Sequence, residues 1–326
     1  TGSAVVFITA AAEDVFQGEL IAENPSSPTA PSATGANAVA IGNLAQASGS
    51  SSVALGWESR ARGAWDITAG RNSGTDANFA YQTAIGRNSS CSGNYATALG
   101  FSAKAAGPNT TALTNSYASG TDSFAAAIAN NTSSYGATGA NSIAMGYQAK
   151  ATQTGSIAIG YNAKSLNSQN GALGYNVQAN NSYSFAIGSY TTAQGNNSFS
   201  IGSLNYSAEN NSFALGTHAY TNVRSKFAYS AGSFFTSGDA QTGIFVLRSD
   251  TTDATPEALT TNKSTASTNN QIILPNNSVY GFTGTVIARE DSSSTDDFAV
   301  WEIKGGAVRG ANAASTTLGS YNINKI

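Results

Sequence analysis

One short phrase recurs along the chain at a nearly fixed spacing. The residues SIAMGY at Ser142–Tyr147 return as SIAIGY at Ser156–Tyr161, and the glycines that close the two phrases are fourteen residues apart. Most steps between such glycines are of fourteen residues, and two are of sixteen. The aligned column comprises Gly42, Gly56, Gly70, Gly86, Gly100, Gly146, Gly160, Gly174, Gly188, Gly202, Gly216 and Gly232. A short fixed period is typical of a solenoid, in which each repeat packs only on its neighbours.

Each phrase alternates between large and small apolar residues. Ile157 and Ile159 flank Ala158 just before the glycine, and this period of two predicts a β-strand. Small residues three and five positions after the glycine, such as Ala149 and Ala151, predict a second, thinner strand. One repeat therefore makes two short strands and two turns, which is one flat coil of a β-roll.

The alternation also leads to an expectation about which residues lie inside the coil. We expect the large residues of one strand to interdigitate with the small residues of the other, so that the alanine between the large residues faces outwards. An outward apolar column on a single chain predicts close packing against identical copies. The interface candidates are Ala40, Ala54, Ala84, Ala144, Ala158, Ala186 and Ala214.

The composition excludes several classes of protein. Charged residues are 10% of the chain, where about a quarter is usual, and the net charge of −3 has the wrong sign for a nucleic-acid partner. The single cysteine, Cys91, cannot form an intrachain disulfide. The apolar run at residues 4–12 is too short to span a bilayer, which takes about 18 residues or more. We therefore expect neither nucleic-acid binding nor membrane insertion.

The repeats resemble a known family. The phrases GANAVAIGNLAQASGSSSVALG (residues 35–56) and NSIAMGYQAKATQTGSIAIG (residues 141–160) resemble the head repeats of trimeric autotransporter adhesins of the YadA type. The resemblance covers residues 35–232 and implies a left-handed parallel β-roll solenoid wound side by side in a homotrimer. The segments NQIILPNNSVYGFTGTVIARE and FAVWEIKGGAVRG are similar to a C-terminal β-domain of phage tail-fibre proteins.

These observations predict an all-β chain with four parts. We expect a small N-terminal element at 1–23, a Pro/Ser linker at 24–34, a shaft of about fourteen coils at 35–232 and an antiparallel β-domain at 233–326 that is incomplete at its end. In the last part the pattern predicts strands at 243–249, 271–275, 279–290 and 298–304.

The resemblance implies a structural and adhesive role. The preferred interpretation is a trimeric phage tail fibre of the virion, whose partners are other tail or baseplate proteins and a glycan or outer-membrane receptor on the host surface. No heptad stalk or membrane anchor follows the repeats, which favours this setting. The alternatives are a bacterial cell-surface trimeric adhesin, located outside the cell, and a glycan-degrading tailspike.

The sequence offers little for catalysis. The carboxylates of the repeats are Glu58, Asp66, Asp76, Asp122 and Glu209. No two of them lie in one column on successive repeats, so no acid and base pair of the glycosidase kind is indicated. We expect Asp66 and Asp76 in a solvated turn, the lone His218 at the surface, and Cys91 as a small buried thiol. We therefore predict no enzymatic activity, no metal and no cofactor.

One surface pattern has two interpretations. Aromatic residues follow the turn glycine in several repeats and have lysines beside them: Trp57, Phe101, Tyr147, Tyr161 and Tyr175, with Lys150 and Lys164. Stacked coils would place successive rings about 4.8 Å apart. Such a ladder stabilises a solenoid, and it also suits a shallow strip that binds anionic glycans.

Overall fold

The computed structural model describes residues 29–128, 134–253, 255–290 and 297–326. These residues form two compact units that divide between Phe245 and Val246. The predicted element at 1–23 and residues 24–28 of the predicted linker at 24–34 lie outside the described residues. The first strand, Ser32–Ala33, falls within the stretch predicted to be a linker.

The first unit is a parallel β-solenoid of fourteen turns, which confirms the predicted fold class. Its short-strand sheet contains β1 (Ser32–Ala33), β3 (Gln46–Ala47), β5 (Arg60–Ala61), β7 (Gly74–Thr75), β9 (Ser90–Cys91), β11 (Lys104–Ala105), β13 (Tyr117–Ala118), β15 (Gly136–Ala137), β17 (Lys150–Ala151), β19 (Lys164–Ser165), β21 (Gln178–Ala179), β23 (Thr192–Ala193), β25 (Tyr206–Ser207) and β27 (Tyr220–Thr221). Its long-strand sheet contains β2 (Val39–Ile41), β4 (Val53–Leu55), β6 (Ile67–Ala69), β8 (Thr83–Ile85), β10 (Thr97–Leu99), β12 (Thr111–Leu113), β14 (Phe124–Ala126), β16 (Ile143–Met145), β18 (Ile157–Ile159), β20 (Gly171–Tyr175), β22 (Phe185–Ser189), β24 (Phe199–Ser203), β26 (Phe213–Thr217), β28 (Phe227–Ala231) and β29 (Thr242–Ile244).

Equivalent residues of successive repeats are hydrogen-bonded neighbours. Ala144 pairs with Ala158 between β16 and β18, and Gly174 pairs with Gly188 between β20 and β22. The glycine column therefore stacks along the solenoid as the period predicts. Gly232 is the exception, because Gly216 pairs with Ser230. The predicted strand at 243–249 is limited to β29, which pairs antiparallel with β28 at the end of the sheet.

The interior of the coil is lined by small side chains, and the predicted orientation of the strands is wrong. Ala40 is 4% exposed and the other six interface candidates are fully buried within their own chain. Fourteen residues make a flat coil, so alanine, serine and threonine fill most of its interior, with a few larger buried side chains such as Ile128 and Val177. The interdigitation of large with small residues predicted for the interior is absent from the described coils. The alanine candidates therefore cannot form an interface with another chain.

The large apolar residues face outwards instead. They form a column along the outer face of the long-strand sheet, and several are 37–44% exposed in the single chain: Val39, Leu55, Ile67, Ile85, Leu99, Met145, Ile187 and Phe199. We call this set the outer apolar column. Its members alternate with the buried alanines, as the period of two requires.

Each coil closes through two tight turns. Gly146 has φ +109°, and a Cβ there would lie 2.5 Å from the carbonyl oxygen of Gly160 in the next coil. At the other turn Asn141 is left-handed, with φ 54°, a conformation that asparagine tolerates better than most residues. The buried Ser142 hydroxyl then donates to the Gly139 carbonyl at 2.6 Å. Glycine at one turn, and a left-handed residue followed by a buried serine at the other, thus close this coil.

The second unit contains a three-stranded antiparallel sheet, which confirms the predicted antiparallel β-structure. Its strands are β30 (Ser278–Arg289), β31 (Phe298–Arg309) and β32 (Thr316–Lys325), with a 3-10 turn at Ala313–Ser315. The sequence pattern predicted β30 and part of β31, missed β32, and wrongly placed a strand at 271–275. Over the described residues, no helix is long and apolar enough to cross a membrane.

Candidate functional site

Three tyrosines after the turn glycines form a stacked ladder. The ring centroids of Tyr147 and Tyr161 are 4.9 Å apart, and those of Tyr161 and Tyr175 are 5.1 Å apart. Both pairs are nearly parallel, with interplanar angles of 16° and 20°. Tyr190 contacts Tyr175 edge-on at 5.3 Å, and a hydrogen bond with Tyr190 raises the pKa of Tyr175. The predicted spacing is confirmed, and each of the three rings is partly exposed to solvent beside the stack.

Trp57 and Phe101 occupy the same column but have arginines as neighbours. The Cζ atom of Arg71 lies 4.5 Å from the centroid of the Trp57 ring, and that of Arg87 lies 5.7 Å from the centroid of Phe101. These are cation–π distances. Four successive coils thus carry Trp57, Arg71, Arg87 and Phe101 directly after the turn glycine.

The predicted lysine column lies on the outer side of the short-strand sheet. Lys150 and Lys164 are direct neighbours in the register of β17 and β19. Each lysine comes three residues after a ladder tyrosine, Tyr147 and Tyr161. Aromatic rings and ammonium groups therefore occur on the same two coils.

A second aromatic column was not predicted. Trp65, Tyr81 and Tyr95 lie at the left-handed position of the other turn, with centroid distances of 5.1 Å and 4.9 Å. Alignment on the glycine hides this column, because large aromatic residues rarely adopt positive φ and seldom signal such a turn. Alignment on the buried residue that follows each ring would have revealed it.

The coil that runs from Asp66 to Gln82 advances sixteen residues instead of fourteen, and we call it the irregular coil. Its acidic residues have structural roles. Asp66 is fully buried, and its carboxylate accepts hydrogen bonds from the backbone N–H groups of Gly63 at 2.7 Å and Gln82 at 2.9 Å. Burial raises the pKa of Asp66. The prediction of a solvated turn is therefore wrong for Asp66, whose buried carboxylate accepts hydrogen bonds from the backbone of its own coil and of the next. Asp76 lies at the surface, where its Oδ1 accepts from the backbone and side-chain N–H groups of Asn78 at 3.0 Å.

The histidine and the cysteine lie in separate environments. Cys91 is buried, as predicted, and its Sγ donates to the Thr83 carbonyl at 3.1 Å. Burial raises the pKa of Cys91 to about 12, so the thiol stays protonated. His218 is half-buried, with Nδ1 3.2 Å from the Ser237 hydroxyl. Within the described ranges, no cluster of three or more His, Cys, Asp or Glu residues is arranged to hold a metal ion.

Comparison with known families agrees with this repeat geometry. The family model for the YadA head domain repeat, two copies long, matches residues 33–59, 92–113, 137–163 and 193–219. These four ranges of the shaft are similar to YadA head domain repeats. Such repeats indicate the fold of a trimeric autotransporter-like adhesin. The YadA matches include Tyr147, Tyr161 and Lys150, whereas the irregular coil around Asp66 lies between two matched ranges. No curated protein matches the chain.

Proposed function

We propose that the chain is one of three identical chains in a structural, adhesive fibre outside the cell. The observation that carries this proposal is the outer apolar column. Soluble monomers rarely expose a contiguous apolar surface of this kind. Self-association with closed rotational symmetry covers such a column equally on every copy, and the YadA head repeats favour threefold symmetry.

The proposed setting is a phage tail fibre, in which the chain contacts other tail or baseplate proteins and a host-surface glycan or outer-membrane receptor. The resemblance of the C-terminal strands to phage tail-fibre domains supports the virion. A bacterial cell-surface adhesin is the second candidate, and the match to YadA head repeats favours it. A glycan-degrading role has less support, because Asp66 and Asp76 both accept hydrogen bonds from backbone N–H groups of the irregular coil.

The aromatic ladder is the proposed contact surface for a glycan. Tyr147, Tyr161 and Tyr175 offer a continuous row of ring edges and hydroxyl groups, and Lys150 and Lys164 add positive charge on two of the same coils. Trp57 and Phe101, which lie beside Arg71 and Arg87, would form a second part of this contact surface. We propose that stabilising the solenoid and binding glycan are both roles of these residues.

The oligomer and the setting are tested separately. Sedimentation equilibrium of the full chain should give three times the monomer mass, and a stable folded monomer would contradict the fibre. Gold-labelled antibody against the chain should decorate phage tails in electron micrographs. Label on the bacterial envelope of phage-free cells would instead favour the cellular adhesin.

A further inference from the structure

A concave notch interrupts the outer side of the short-strand sheet at Gly74. Its walls are formed by Arg60, Arg62, Asn72, Asp76, Asn88 and Ser90, and we call it the Gly74 notch. The cavity has a volume of about 280 Å³. In the same column the neighbouring coils carry Arg60 and Ser90, so the notch marks the place where one side chain is missing. A Cβ atom at Gly74 would have no heavy atom within 4 Å.

Positive charge is concentrated around the notch. Half of the eight arginines of the chain lie in this short stretch: Arg60, Arg62, Arg71 and Arg87. Over the part of the chain that the structure describes, none of the four forms an ion pair, and the salt bridge that does form joins Lys263 to Asp250. Surface carboxylates nearby are Glu58 and Asp76, since Asp66 is buried. This patch is therefore cationic on a chain whose net charge is −3.

The neighbouring groups hold the walls of the notch in place. Arg62 Nη1 donates to the Thr75 carbonyl at 3.2 Å, and Asn72 Nδ2 donates to Asn88 Oδ1 at 3.2 Å. Arg71 directly precedes Asn72 and is held over the Trp57 ring. The single acid of the notch, Asp76, has one carboxylate oxygen occupied by Asn78. Donor groups therefore dominate the opening.

We propose that the Gly74 notch binds one acidic sugar residue of an anionic glycan. The Arg60 guanidinium would pair with the carboxylate or sulfate group, because its planar fork matches both anions. The amide and hydroxyl groups of Asn72, Asn88 and Ser90 suit the sugar hydroxyls. The volume lies just below the usual range for small-molecule pockets, about 300–1,000 Å³, which favours one ring over a longer segment.

This site is separate from the tyrosine ladder and deepens the proposed adhesive function, on which it rests. The notch lies on β5, β7 and β9, several coils away from the Tyr147 strip. It also lies on the short-strand sheet, whereas the outer apolar column lies on the long-strand sheet. Association of chains through that column would leave the notch open to solvent.

The test is isothermal titration calorimetry of the full chain with three probes. They are trigalacturonate, which carries carboxylates, a sulfated heparin trisaccharide, and maltotriose as the neutral match. Gly74→Tyr fills the notch, and the fold accepts tyrosine in this column because Tyr206 and Tyr220 occupy it naturally. Thr192→Tyr adds the same ring in the same column elsewhere. Arg60→Gln removes the pairing charge, and Arg224→Gln makes the same change outside both the notch and the tyrosine ladder.

We expect at least one acidic probe to bind about tenfold more tightly than maltotriose at physiological salt. Gly74→Tyr and Arg60→Gln should each weaken that binding about tenfold or more, while the two controls stay within about twofold. The stronger acidic probe identifies a carboxylated or a sulfated ligand. Circular dichroism and sedimentation confirm that each variant keeps the fold and mass of the parent chain.

Three results would overturn the proposal: no binding of either acidic probe, binding that Gly74→Tyr leaves unchanged, or an equal loss in Arg224→Gln, which would indicate nonspecific charge attraction. If the parent chain binds host cells but gives one of these results, only the notch proposal is refuted. If the chain is found neither in phage tails nor on cell surfaces, the proposed adhesive function itself is refuted.

Discussion

Ala186 and Ile187 are neighbours in β22 and face opposite ways. Ala186 is fully buried inside its coil, whereas Ile187 is 38% exposed on the outer apolar column. Glutamate should therefore have different effects at these two positions. We predict that Ala186→Glu prevents the coil from folding, and that Ile187→Glu leaves the chain folded but weakens its self-association.

The magnitudes follow from burial. At Ala186 the longer side chain overpacks the interior, which costs about 1–3 kcal/mol, and an unpaired buried charge adds several kcal/mol more. Complete burial of an isoleucine side chain contributes about 1.5–3 kcal/mol. Assembly would bury the two fifths of Ile187 that are exposed in the single chain, so losing this contact costs about 1 kcal/mol per chain. Over three chains this is about 3 kcal/mol, a loss of roughly two orders of magnitude in the association constant before repulsion between the glutamates is added.

Sedimentation velocity over a concentration series, with circular dichroism on the same samples, separates the two effects. Ile187→Glu should keep the parent β-spectrum while its mass falls towards that of a monomer on dilution. Lys164→Ser is the surface control and should retain both the spectrum and the assembly. A folded Ala186→Glu chain that fails to assemble, beside a fully assembled Ile187→Glu chain, would refute the assignment of faces.

Three further predictions concern stability and reactivity. Burial lowers the pKa of Lys226 from 10.5 to about 8, so the unfolded chain binds more protons between these values. The free energy of unfolding in urea should therefore rise by about 3 kcal/mol from pH 8 to pH 10.5, and Lys226→Met should abolish that slope. Tyr161→Ala removes two ring stacks and should cost about 1–3 kcal/mol in the same assay, whereas Tyr161→Phe should cost much less; equal losses would contradict the stacking argument. The Cys91 thiol should react with a disulfide reagent at pH 8 only as fast as the chain unfolds, and rapid reaction of the folded chain would show that Cys91 is accessible.

The period of the sequence was enough to predict the coil, the stacking of glycines and the spacing of the tyrosines. Each of these follows from repetition, because residues one repeat apart must become neighbours when every repeat makes one turn. The irregular coil breaks this rule locally. Its two extra residues lie between Thr75 and Thr83, and the buried Asp66 and Gln82 link the backbone there through hydrogen bonds that no repeat pattern announces.

The candidate site was predicted only where it follows the glycine column. The tyrosine ladder does so, and the structure places it as expected. The Gly74 notch arises because Gly74 replaces a larger residue in a column of outward side chains, and its arginines are scattered over three repeats. Such a cavity becomes visible only when the coils are stacked in register.

The inside and outside of the strand could not be decided from alternation, because a shift of one residue exchanges the two faces of any strand. Size decides it. A coil of fourteen residues uses much of its length for two turns, and the space that remains between its sheets is filled mainly by alanine, serine and threonine. Large residues that flank a small one in so short a repeat must therefore face outwards. A chain built in this way folds with its small residues and associates with its large ones. Variants at positions such as Ala158 and Ile187 should accordingly separate folding from assembly, which a protein with a single mixed core does not allow.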